Sequence, residues 1–110
     1  MKPGSGDTKV YVRMETDELG ELKRHTWAMK EAFGLDSRID RYQGKRPIGF
    51  YRWDLECLDA VIRFALNDPK EYPSKDAPGY LALQRLRQKL QAAYCEFPIE
   101  LRRLYNRWNQ

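Results

Sequence analysis

The chain has 110 residues, 42% hydrophobic, 13% aromatic and 33% charged, with 20 lysines and arginines against 16 aspartates and glutamates and a formal net charge of +4. That length suits one domain with a core that closes without cross-links, and the mixture of both charge signs with many apolar residues excludes a disordered chain. No apolar run reaches the roughly 18 residues of a membrane helix, so the expectation is a small cytoplasmic protein without a membrane partner.

Residues 1–8 are rich in Gly, Ser, Lys and Asp and read as a flexible lead, followed by a single α+β domain over 9–110. No apolar stretch follows Lys2, so no secretory signal is expected. From Lys9 to Glu15 the residues alternate. Val10, Val12 and Met14 point one way and Tyr11, Arg13 and Glu15 the other, the pattern of a half-buried strand.

Thr16 and Asp17 can cap a helix running to about Phe33, with Leu19, Leu22, Thr26, Met29 and Phe33 on one face and His25 on the polar one. Gly34 followed by Leu35 offers a stop. Residues 38–43 and 48–53 flank Gly44-Lys45-Arg46-Pro47 and predict a β-hairpin, the second arm carrying the stronger strand formers Ile48, Phe50, Tyr51 and Trp53.

Asp54 then predicts a helix cap. Leu55, Leu58, Val61, Ile62, Ala65 and Leu66 give the helix face, and Asn67-Asp68-Pro69 its end. A proline-bearing loop over 70–78 leads to a helix over 79–95 with Leu83, Leu86, Leu90, Ala93 and Phe97 in a stripe. Pro98 opens a last helix with Leu101, Leu104, Tyr105 and Trp108 on its apolar face. The expected order is β-α-β-β-α-α-α: a three-stranded sheet packed by helices, with a C-terminal helical hairpin.

Charge is unevenly placed. Residues 79–110 hold six cations, Arg85, Arg87, Lys89, Arg102, Arg103 and Arg107, against Glu96 and Glu100, a surplus equal to the whole net charge. Two helices joined at Cys95-Glu96-Phe97 are the parts of a DNA reader, in which Arg102, Arg103 and Arg107 would reach phosphate or guanine and Asn106 a base. The plainer alternative is a helical hairpin with a solvated basic face. The turn lacks the glycine frequent in DNA-binding versions.

The hairpin is the second candidate. Arg38, Arg41, Lys45, Arg46 and Arg52 interleave with Tyr42, Phe50, Tyr51 and Trp53, a mixture that stacks bases and neutralises phosphates. The alternative there is a sheet with one aromatic face inside and one basic face in water.

No metal site or cofactor is expected, because His25, Cys57 and Cys95 are not at ligand-pair spacing. The two cysteines read as buried free thiols. No enzymatic activity is expected either: the chain has no glycine-framed serine, CxxC or HExxH motif. Glu15, Asp17 and Glu18 gather at a helix start, where the dipole accounts for them.

The functional expectation is a small nucleic-acid-binding accessory or regulatory protein. It would use Arg102, Arg103, Arg107 and Asn106 with Lys45, Arg46 and Arg52, its partner being DNA or RNA. The alternative is a module for a protein partner or for itself as a homodimer. Residues 54–78 hold six acidic and three basic residues, so internal neutralisation of the basic end is the competing outcome.

Overall fold

The computed structural model describes residues 9–29 and 34–97. Its elements are β1 (Val10–Val12), α1 (Thr16–Lys23), a 3₁₀ turn (Thr26–Met29), α2 (Leu35–Arg41), β2 (Ile48–Phe50), α3 (Arg52–Leu66) and α4 (Tyr80–Tyr94). Residues 98–110, with the expected last helix and Arg102, Arg103, Asn106 and Arg107, lie outside the described residues.

The alternation in β1 does what it predicts. Val10, Val12 and Met14 are buried while Tyr11 stands in solvent. β1 pairs antiparallel with β2, setting Val10 opposite Phe50, Tyr11 opposite Gly49 and Val12 opposite Ile48. The sheet has two strands among the described residues, not the expected three.

The missing strand is α2. Residues 38–41 are helical, and Leu35 and Ile39, four apart, are both fully buried, with Tyr42 packed against the same core. Those three sit at i, i+4 and i+7, a helix face. Read as a strand, the same segment alternates only charged and polar residues around Ile39 and offers the core too little. Gly34 does not end a helix here. It adopts a left-handed conformation (φ 87°) at the entry to α2, and its carbonyl accepts the Arg38 N–H.

α1 also stops earlier than its periodicity suggests. The N–H groups of Arg24 and His25 donate to carbonyls three residues back, Glu21 and Leu22, which tightens the last turn. The Thr26 hydroxyl donates to the Lys23 carbonyl. His25 turns inward and is 3% exposed, a correction to its expected polar-face position.

α3 begins at Arg52, so Trp53 is helical and Asp54 is the third helical residue, not the cap. The Asp54 carboxylate instead accepts the Tyr51 backbone N–H, 2.9 Å away, satisfying one of the orphan donors of the helix start. α3 and α4 run antiparallel, pinned where Arg87 meets Asp59 and the Tyr94 hydroxyl donates to Glu56. Leu58, Ile62, Leu83, Leu86 and Leu90 fill the core with essentially no exposure. Each contributes about 1.5–3 kcal/mol by leaving water. Together α1 to α4 and the small sheet make an α+β fold.

Candidate nucleic-acid interface

The basic outer face expected of the 79–95 helix is not free. Arg85 forks across Asp17 and Glu18 (Nη2 to Asp17 Oδ2 2.7 Å, Nε to Glu18 Oε2 2.7 Å). Lys89 Nζ reaches Glu18 Oε1 at 2.8 Å, and Arg87 Nε reaches Asp59 Oδ1 at 2.9 Å. These guanidinium and ammonium contacts hold the Asp17 and Glu18 carboxyls below their ordinary range, for Glu18 against the opposing effect of burial. The same carboxylates push Arg85 up. Internal neutralisation therefore prevails along α4.

Several cations without a salt bridge among the described residues stand beside the sheet. A groove of about 310 Å³ is bounded by Lys9, Arg38, Arg41, Arg46 and the β2 backbone at Ile48 and Gly49. Arg38 is committed to the buried Asp54 carboxylate at 2.7 Å. Among the described residues Arg41 donates to the Ser37 carbonyl within its own helix. Lys9, Arg13, Arg41, Lys45 and Arg46 make no salt bridge among the described residues.

Aromatic rings adjoin these cations. Strand pleating sends Lys9, Tyr11 and Arg13 to the face opposite the core. Tyr11 is 65% exposed and pairs with Gly49. A side chain at Gly49 would put its Cβ 2.9 Å from Tyr11 Cε1 and 3.0 Å from Lys9 Cδ, so glycine there leaves room for the ring and the lysine stem. Lys9 Nζ lies 5.2 Å from the Tyr51 ring centre. Tyr51 stacks on Trp53 at 4.9 Å and 15° between planes, and the Arg52 guanidinium lies 5.9 Å from the Trp53 ring centre.

Of the residues expected at a nucleic-acid site, Lys45 and Arg46 are exposed on the loop entering β2, where Gly44 takes a positive φ of 77°. The Tyr42 hydroxyl donates to the Arg46 carbonyl and steadies that loop. Arg52 sits on the first turn of α3, engaged with Glu56 at 3.1 Å. Arg102, Arg103, Asn106 and Arg107 are outside the described residues. Lys9, Tyr11 and Arg13 were missed as site residues, although the alternation that buries Val10 and Val12 already sends them outward.

The two thiols are free. Cys95 is exposed, a correction to its expected burial, while Cys57 is half-buried and its thiol is pushed up, by burial first and Asp54 second. No cluster of three or more His, Cys, Asp or Glu side chains able to hold a metal occurs among the described residues, and no helix there is long and apolar enough to cross a membrane. No family model, curated protein or solved structure matches the chain.

Proposed function

We propose that the protein is a non-enzymatic nucleic-acid-binding accessory or regulatory factor, and that it takes single strands across the outer face of its sheet. One observation carries the reading: Lys9, Arg41 and Arg46, which make no salt bridge among the described residues, border a groove beside the exposed Tyr11 ring and the half-buried Tyr51, while α4 cations are neutralised internally. Such a surface tracks a phosphate backbone with its cations and stacks bases on its rings without reading sequence closely. Aromatic rings stack on unpaired bases, which a duplex keeps in its own stack, so this surface favours a single strand over duplex DNA.

Fluorescence anisotropy with labelled single-stranded DNA, RNA and duplex DNA across a salt series tests this. Single strands should bind more tightly than duplex, with log K falling against log salt by roughly 0.7 for each phosphate neutralised. Arg41→Glu combined with Arg46→Glu should flatten that slope. Tyr11→Ala should weaken binding by about 1–3 kcal/mol and leave the slope intact, because stacking releases no counterions. Equal, low-salt-only binding of all three nucleic acids would overturn the reading.

A further inference from the structure

A second concavity lies between α3 and the 3₁₀ turn. It encloses about 550 Å³ and is walled by Trp27, Met29, Trp53, Val61 and Phe64. Trp53, Cys57, Ala60 and Phe64 recur along α3 at helical spacing, so α3 has an apolar stripe besides the one that packs on α4. Trp27 and Phe64 are 68% and 73% exposed, unusual for side chains of that size. The volume is that of a small-molecule site.

The polar end of this cavity is formed by His25, Asp68 and Glu71. The Tyr72 hydroxyl donates its one proton to Glu21, so its oxygen accepts from His25 Nε2, 2.9 Å away. This fixes the imidazole as the Nε2–H tautomer. Nδ1 is then a lone-pair acceptor with no hydrogen-bond partner among the described residues, on a side chain that is 97% buried given its 3% exposure.

Asp68 accepts the Lys70 backbone N–H through one carboxylate oxygen and makes no ion pair among the described residues. Arg24 is shared between Glu21 and Glu71. Of the two carboxylates that line this end, Glu71 shares Arg24 with Glu21, which is not part of the lining, and Asp68 stands without an ion pair among the described residues beside a neutral imidazole. The end is negative and its unused polar atoms are acceptors.

We propose that this cavity binds an amphipathic organic cation. The apolar body lies between Trp27, Trp53, Phe64 and Val61, and an ammonium or amidinium donates to Asp68 and His25 Nδ1. Tryptophan faces add cation–π attraction. The site shares Trp53 with the aromatic stack beside the sheet but does not depend on the nucleic-acid reading.

Three probes with one body and different heads test it: phenylbutylammonium, phenylbutanol and phenylbutanoate, followed by calorimetry and by amide and indole N–H chemical shifts. The ammonium should bind about tenfold more tightly than the alcohol, a difference of about 1.4 kcal/mol, with the anion weakest and shifts centred on Trp27, Trp53 and Asp68. Asp68→Asn keeps an acceptor for the Lys70 N–H and should erase the ammonium's advantage while leaving the alcohol unchanged. Ala60→Trp should fill the cavity and abolish all three. Equal affinities for cation and alcohol, preference for the anion, or no ammonium binding up to its solubility would each overturn the proposal. So would cation preference that survives Asp68→Asn, which needs no refolding of the core.

Discussion

Glu18 shows what one side chain settles. It is fully buried yet charged, and its carboxylate collects Arg85, Lys89 and the Glu15 backbone N–H at 2.7–2.8 Å. Glu18→Gln keeps the shape and removes the charge those two cations need. It should cost about 2–3 kcal/mol, read as a lower urea midpoint with an unchanged slope. The sequence places Glu18 in a first helical turn, where the dipole accounts for it. That both cations lie some 70 residues downstream is tertiary information no local pattern carries.

The buried titratable groups give the stability a defined pH shape. Burial holds His25 below its ordinary value, outweighing the carboxylates of Glu71 and Glu21, so the unfolded chain takes up a proton first as pH falls. Stability should be intact above about pH 6.5 and decline below it. A second decline should begin below about pH 4.5, where Asp17 and Glu18, depressed in the fold, are protonated first in the unfolded chain. Tyr72 is pushed up by burial and by Glu21, so its contribution should be lost as pH rises past about 10. Urea midpoints across pH would trace these limbs, and the His25 limb should vanish in a His25→Phe variant.

At the scale of elements, strong periodicity is reliable and weak alternation is not. The Leu83-Leu86-Leu90 and Leu58-Val61-Ile62-Ala65 stripes are legible because several apolar residues agree, and all are buried. Residues 38–43 mislead because the flanking glycine and tyrosine suggest a strand, while the helical spacing of Leu35, Ile39 and Tyr42 crosses the expected boundary. β2 pairs with the distant β1 and not with its sequence neighbour, so hairpin logic fails where the partner is remote. The sheet face was therefore only half legible. Lys45, Arg46 and Arg52 were singled out and the strand carrying Lys9, Tyr11 and Arg13 was expected, but not its pairing with β2.

Gly79 is the most constrained entry to a helix. It precedes α4 with φ 85°, and a Cβ there would lie 2.2 Å from the Glu21 carboxyl. Gly79→Ala should destabilise by about 1–2 kcal/mol from the left-handed backbone alone. Displacing Glu21 should also loosen its bonds to Tyr72 and Arg24. A thermal melt measures the first effect, and a change in the His25 titration followed by NMR reports the second.

Across the described residues, what matters about charge is where it is paired. The net charge of +4 does not locate a basic surface. α4 uses its cations to fasten α1 and α3, whereas Lys9, Arg41 and Arg46, beside the sheet, make no salt bridge among the described residues. For Arg85, Arg87 and Lys89 a count along the chain sees residues and not their partners. Salt should therefore act on two populations differently, screening the exposed cations of the sheet face strongly and the contacts of buried Glu18 weakly.

The reach of those α4 contacts also bears on how the protein is made. Glu18 emerges from the ribosome before its counter-cations, which follow 67 and 71 residues later. Until then α1 carries a carboxylate that cannot enter an apolar interior unaccompanied. A nascent chain halted before Lys89 should remain protease-sensitive at α1, and release of α4 should convert α1 and α3 to a resistant form in a single step.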